Sequence, residues 1–220
     1  MIESRVTRRA QIPDPLRIRR CQQSPELGPQ VLFFSGGTAL DGLSRTLPDY
    51  THRSIHLVTP FDSGGSSAKL RAAFDMPAVG DLRSRLMALA DDSMLGHPDV
   101  CRLFQYRLPD AASPEVLARR LAALAAGEDP LMRDIADPMH RLIRQQLGHF
   151  CAAMPDDFDL RGASVGNLIL AGGYLSHHHQ LDPIILLFSK LVQVRGTVRA
   201  VVDEYYHLAV TLEDGTTLVG

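Results

Sequence analysis

Apolar residues in this chain fall into two kinds of run. Short ones, Val31-Leu32-Phe33-Phe34 and Ile55-His56-Leu57-Val58-Thr59, have the length and the β-branched and aromatic content of strands. The first is apolar on both faces, as a central parallel strand is. Each then breaks into small residues: Ser35-Gly36-Gly37-Thr38 after the first, Asp62-Ser63-Gly64-Gly65-Ser66-Ser67 after the second. Longer stretches place apolar residues at helical spacing. They predict helices from about Ala39 to Leu47, stopping before Pro48, and from Ala68 to Phe74, ending before Met76-Pro77. Leu82, Leu86, Leu89 and Ala90 mark another, with Gly80 leading in and Asp81 placed to cap it.

From His97 to Met154 the pattern is helical throughout. Leu117, Leu121 and Leu124 form one stripe, and Met139, Leu142, Ile143, Gln146, Leu147 and Phe150 a second, with Gly127 and Asp129-Pro130 between them. A further apolar helix opens at Gly166-Asn167-Leu168 after Gly162, Ala163 and Ser164, and another runs from Asp182-Pro183 to Val192. Thr197–Val202, His207–Leu212 and Thr216–Val219 alternate as strands, the last two joined by the turn Glu213-Asp214-Gly215.

Two strands joined through a helix are most simply parallel neighbours with a right-handed crossover. The fold expected is therefore α/β: a doubly wound, mostly parallel Rossmann-like sheet with a helical insertion at about 111–158 and a C-terminal β-hairpin. The insertion reads as structural or as a lid. Residues 1–29 carry Arg5, Arg8, Arg9, Arg17, Arg19 and Arg20 interrupted by Pro13, Pro15, Pro25 and Pro29. They read as a flexible arm or a docking segment, ahead of a domain over 30–220. Because the chain stops in or just after a strand, further sequence is expected to follow.

Composition changes this picture little. With 220 residues and 45% hydrophobic content the chain can bury a full core, and a net charge of −2 gives no lean toward nucleic acid or anionic membrane. Its positive charge is nearly all arginine, with Lys69 and Lys190 the only lysines. Cys21, Cys101 and Cys151 are odd in number and far apart, against both a disulfide framework and a structural zinc site. No signal-peptide core and no run of about 18 apolar residues is present, so a soluble cytoplasmic protein is expected.

The candidate chemistry lies at the strand ends. Ligands of doubly wound sheets bind at the carboxyl ends of strands, where both Gly-Ser loops fall. Glycines let backbone approach a ligand, and the free N–H groups of a following helix favour an anion, usually phosphate. The first loop lacks the Lys-Ser/Thr of a Walker A motif and the spaced glycines of a dinucleotide fingerprint. Asp62 could hold a metal, accept a proton or bind a ribose hydroxyl; the bland alternative is a turn cap through Ser66 and Ser67. Asp81 has a capping role to weigh against a functional one. Arg71 and Arg83 could neutralise phosphate. Asn167, beside Gly166, has an amide that donates and accepts, with simple N-capping as the rival. His177-His178-His179 reads as a solvated helix end rather than a metal cluster, and Asp91-Asp92 likewise as an exposed helix end.

Taken in order, these residues resemble the CofD/YvcK superfamily of 2-phospho-L-lactate transferases and related gluconeogenesis-factor proteins. The resemblance rests on Ser35-Gly36-Gly37-Thr38, Asp62 to Ser67, Gly80-Asp81-Leu82-Arg83, Leu103-Phe104-Gln105-Tyr106-Arg107, Gly166-Asn167-Leu168 and Val194-Arg195-Gly196. The Gly-Gly-Ser-Ser run is similar to the YvcK branch. The opening Phe33-Phe34-Ser35-Gly36-Gly37-Thr38-Ala39-Leu40 is similar to the CofD-like subgroup found beside the so-called GAK genes. Ala39, Ser63 and Ser84 depart from the pattern; Ser63 removes one carboxylate. Members continue past the position of Gly220, so the resemblance covers their N-terminal part.

The resemblance implies, for the transferase branch, a guanosine-diphosphate-activated phospholactate donor, a deazaflavin acceptor and magnesium. For the YvcK branch it implies nucleotide-sugar binding in a regulatory role. The expected function is a nucleotide-diphosphate-binding phosphotransferase; the alternative is a non-catalytic regulatory protein. The expected site comprises Asp62 as catalytic and Mg2+-holding residue. Around it, Ser35, Gly36, Gly37, Thr38, Ser63, Gly64, Gly65, Ser66, Ser67, Gly80, Asp81, Arg83, Gly166 and Asn167 bind the phosphates and the rest of a nucleotide diphosphate conjugate. The partners expected are that small-molecule nucleotide ligand, without nucleic acid or membrane, and a homodimer is admitted.

Overall fold

The computed structural model describes residues 7, 9, 11–91, 93 and 97–219. Asp14 opens α1 (Pro15–Gln23), its carboxylate accepting from the Leu16 and Arg17 N–H groups. No residue of α1 is buried. The segment read as an arm thus contains a solvent-facing helix; Arg5 and Arg8 lie outside the described residues.

Strand β1 (Val31–Ser35) leads through a 3₁₀ turn at Thr38–Leu40 into α2 (Asp41–Thr46), and a second 3₁₀ turn holds Leu47–Asp49. Pro48 therefore sits inside a tighter turn, where its missing N–H costs nothing, instead of simply ending the helix. Strand β2 (Ser54–Val58) pairs parallel with β1, Val31 opposite Ser54 and Ser35 opposite Val58. Both Gly-Ser loops consequently start at the same level of the sheet.

The second loop ends earlier than the spacing predicts. Helix α3 (Gly65–Phe74) begins three residues before Ala68, so Gly65, Ser66 and Ser67 are its first turn. Helix α4 (Gly80–Leu89) likewise takes in Gly80 and Asp81; its cap position is Val79, and Asp81 is not the cap. The remaining helices are α5 (Pro98–Gln105), α6 (Pro114–Ala126), α7 (Met139–Ala153), α8 (Val165–Ser176) and α9 (Leu181–Leu191). Gly127 closes α6 in the left-handed region at φ 80.

The core is one cluster centred on α8, which is buried from Val165 to Tyr174. A helix that is apolar all round belongs inside. Leu82 and Leu86 of α4, Leu103 and Phe104 of α5, Leu117, Leu121 and Leu124 of α6, and Ile143, Leu147 and Phe150 of α7 pack into the same cluster. Two glycines let neighbouring helices close on α8. A side chain at Gly172 would collide with the Gln146 backbone of α7, and one at Gly173 with Ile184 of α9.

Strand β3 (Thr197–Ala200) pairs parallel with β2, Ile55 opposite Thr197, giving the order β1-β2-β3. The chain ends in an antiparallel hairpin of β4 (Ala209–Thr211) and β5 (Thr217–Val219), separate from that sheet. The architecture is thus mixed α/β with a parallel three-stranded sheet and a C-terminal hairpin. Ser54, His56, Val58 and Val198 are buried, whereas Leu32 and Phe34 are 51% and 70% exposed. Cys21, Cys101 and Cys151 form no disulfide. Among the described residues no helix is long and apolar enough to cross a membrane.

Candidate functional site

The loop after β1 is shaped from behind by a residue that hydropathy makes invisible. Arg85, 2% exposed in α4, donates from Nη2 to the carbonyls of Gly36 (3.2 Å) and Gly37 (3.3 Å) and from Nη1 to the Leu40 carbonyl (3.0 Å) and Ser44 Oγ. A guanidinium that gathers three carbonyls fixes the loop without a ligand. Gly37 is glycine because a Cβ there would lie 2.7 Å from Asp81 Oδ1.

The loop after β2 is held by its own aspartate and by a second buried arginine. Asp62 Oδ1 accepts from the Gly64 N–H at 2.9 Å, the turn-forming role weighed against function, but not through Ser66 or Ser67. Arg71, also 2% exposed, donates to the carbonyls of Phe61 (2.9 Å) and Asp62 (3.3 Å), and on its other side to Tyr206. It lies over the Tyr205 ring at 5.0 Å. Arg71 thus ties the segment before the hairpin to the loop and does not line the site as a phosphate ligand.

Between the loops lies a crevice of about 660 Å³, a volume suited to a small organic ligand. Two helices of eight or more residues begin at it, α3 and α4, neither with a side-chain cap on its N-terminal N–H groups, and α8 reaches it with Asn167. The α3 and α4 starts present partial positive charge there. Asn167, 2% exposed in the first turn of α8, donates from Nδ2 to Ser66 Oγ at 2.8 Å; the cap position is Ser164, so capping is not its task. Its Oδ1 is buried and has no protein partner. Gly80 brings α4 against this group: a Cβ there would strike Ser67 Oγ and lie 3.2 Å from Asp62 Oδ2.

Four charges face the crevice: Asp62, Asp81, Arg83 and Arg107. Burial pushes the Asp81 carboxyl up, and the Asp62 charge adds to this against opposing pulls from Arg85 and Arg83. Asp62 is therefore not a lone carboxylate. Asp81, from a different helix, stands as the second acid where the sequence puts Ser63.

Of the residues expected at the site, Gly37, Thr38, Asp62, Ser63, Gly64, Gly65, Ser66, Ser67, Gly80, Asp81, Arg83 and Asn167 line the crevice. Ser35, Gly36 and Gly166 do not. Ser35 is buried beneath the loop, Gly36 turns its carbonyl to Arg85, and Gly166 makes room for the Phe104 carbonyl and for Arg83, whose Cδ a Cβ there would approach to 2.8 Å. Thr59, Phe61, Ser84, Arg107 and Leu208 also line it and were not expected. Arg107 had a signal, since it closes the run Leu103 to Arg107; Leu208 had none, because only Arg71 explains its position.

The histidine run behaves as a helix end: His177 Nδ1 meets the Gly173 carbonyl, and His178 and His179 have φ of 55 and 60. Asp91 corrects its expectation. It is 4% exposed and paired with Arg195 at 2.9 Å, because the chain before β3 returns over the end of α4; Asp92 lies outside the described residues. A larger groove of about 1080 Å³ runs between α9 and β3. Its Arg195 and Arg199 are already neutralised by Asp91 and Asp182, and neither Gly-Ser loop reaches it.

Comparison with known families matches residues 31–220 to the family described as 2-phospho-L-lactate transferase CofD. The chain belongs to the CofD family. Among its relatives, it is 28% identical over 200 residues to the gluconeogenesis factor of Listeria innocua, covering 90% of this chain and 45% of that one. It is 25% identical over 205 residues to the uncharacterized protein YNL011C of Saccharomyces cerevisiae, covering 86% and 44%. A crystal structure of a UPF0052 family member from Bacillus halodurans superposes with a TM-score of 0.59 at 29% identity, over 88% of this chain and 46% of that chain. The CofD-like chain thus spans less than half the length of each of these relatives.

Proposed function

We propose that this CofD-like chain binds a nucleoside diphosphate conjugate in the crevice and transfers its phosphorus-containing group to an acceptor hydroxyl. The observation that carries this reading is the meeting of the uncapped N-termini of α3 and α4 with two carboxylates in one crevice. The N-termini suit phosphate oxygens; the carboxylates suit what phosphate chemistry needs beside them. Two carboxylates completed by phosphate oxygens are a donor set that fits Mg2+, and Asp62 and Asp81 are the residues that would hold it. Bound there, the ion would neutralise charge on the phosphates.

In this scheme the first-turn N–H groups of α3 and α4 orient the diphosphate. The acceptor oxygen forms a bond to phosphorus as the bond to the nucleoside monophosphate oxygen breaks, and the hydroxyl proton passes to a carboxylate oxygen. Burial and the neighbouring negative charge raise the basicity of Asp81, which suits it to accept that proton. Asn167, with one buried oxygen unpartnered, orients the ligand from the first turn of α8.

A second reading is the one that the resemblance to the YvcK branch implies, a regulatory protein that binds nucleotide sugars without turning them over, and relatives named gluconeogenesis factor favour that branch. Asp62→Asn separates the two. Calorimetry with guanosine and uridine diphosphate compounds, with and without magnesium, should give micromolar binding to the wild type, since several charged N–H contacts at ~1.5–3 kcal/mol each exceed the ordering cost. A transferase variant loses turnover far more than binding; a sensor keeps its ligand-dependent thermal shift. No binding of any of these compounds would remove both readings.

A further inference from the structure

We propose that Arg83 and Arg107 form a two-guanidinium fork that takes the second phosphoryl group of the ligand, so that Arg107 decides between nucleoside diphosphates and monophosphates. This rests on the nucleotide reading above and adds a subsite to it.

Seven other described arginines are ion-paired with a carboxylate. The two that line the crevice with Asp62 and Asp81 are not. Arg83 spends Nη1 on the Phe104 carbonyl (3.2 Å) and Nη2 on Ser84 Oγ (3.1 Å), while its buried Nε has no acceptor. Arg107 spends Nη1 on the Gly162 carbonyl (3.0 Å). Neither is placed by chance. Arg83 passes Gly166, where any side chain would displace it. Arg107 bridges Ser164, and its neighbours close the ladder: the Tyr106 carbonyl accepts from the Val165 N–H, and the Leu108 N–H donates to the Ala163 carbonyl.

Both cations also line the same crevice, Arg83 part-buried and Arg107 exposed. Like charges gathered in one wall are relieved by a multivalent anion, and planar guanidinium forks match phosphate oxygens. The fork stands at the α8 start, whereas the glycine loops stand at the strand ends. One phosphate satisfies one wall of the crevice; a diphosphate satisfies both.

The test is calorimetry of the full chain with GDP, GMP, UDP and UMP, with Arg107→Gln and Arg107→Lys beside the wild type. The wild type should prefer the diphosphate by roughly ten- to a hundredfold, the value of one charged contact. R107Q should bring the preference down to a few-fold with the monophosphate constant unchanged, and R107K should restore part of it. Thermal melts verify folding, and should R107Q not fold, R107K alone still reads the ratio. A diphosphate preference that survives both substitutions overturns the fork and leaves the nucleotide site standing. Wild-type protein that binds none of the four overturns both.

Discussion

His56 shows what a polar residue inside a strand run does when nothing answers it. It is 1% exposed, stacked on Phe33 at 4.9 Å, and both ring nitrogens lack a partner. Burial, with help from the charge of Arg85, holds its pKa down to about 4. An unfolded histidine protonates near 6.5, so between about 6.5 and 4 the unfolded chain binds a proton that the folded chain refuses. Stability should therefore fall as pH falls through that window, by on the order of 2–3 kcal/mol, and this contribution should level off below it. Urea unfolding at pH 7, 5.5 and 4 measures the slope, and His56→Leu should flatten it. An equal slope in the variant would assign the acid sensitivity elsewhere. The same residue scale holds what sequence reading missed at the site. Arg85 and Arg71 look like surface cations by composition, yet each is buried with its charge spent on carbonyls, and only three-dimensional closure could reveal it.

At the scale of elements, the first two strands, their small-residue loops and the helix stripes were legible, because a period of 2 or 3.6 is written locally. Helix starts were less so. Gly65 and Gly80 read as loop because glycine disfavours helix interiors, but at a first turn the cost is small: Gly65 takes φ 51, and the missing Cβ of Gly80 lets Asp62, Ser67 and Asn167 converge. The crossing of α7 and α8 was not legible at all, since Gly172 is marked only by contact with the Gln146 backbone. Gly172→Ala should destabilise the protein by about 3 kcal/mol or more, because the methyl meets backbone that cannot rotate away. Gly148, in α7 with open space around it, is the control: Gly148→Ala should be neutral or stabilising by up to about 1 kcal/mol. Equal losses in chemical denaturation would refute the close-crossing account.

At the scale of the molecule, the parallel sheet keeps one face for the helical core and leaves Leu32 and Phe34 of β1 in solvent. Parallel strands are ordinarily covered on both faces. The run Val31 to Phe34 accordingly reads as a central strand, although β1 stands at the sheet edge here. The site survives this because its walls come from the other direction: the β1 and β2 loops, α3 and α4, and the α8 start. Leu208, two residues past the Tyr206 carbonyl that Arg71 holds, lines the crevice across more sequence than any local pattern carries. Hydrogen exchange with and without a saturating nucleoside diphosphate and magnesium tests the central claim most directly. Bound ligand should slow exchange at the first-turn amides of α3 and α4, Gly65 to Ser67 and Gly80 to Leu82, and at Asn167. Protection confined to the groove between α9 and β3, with those amides unchanged, would contradict it.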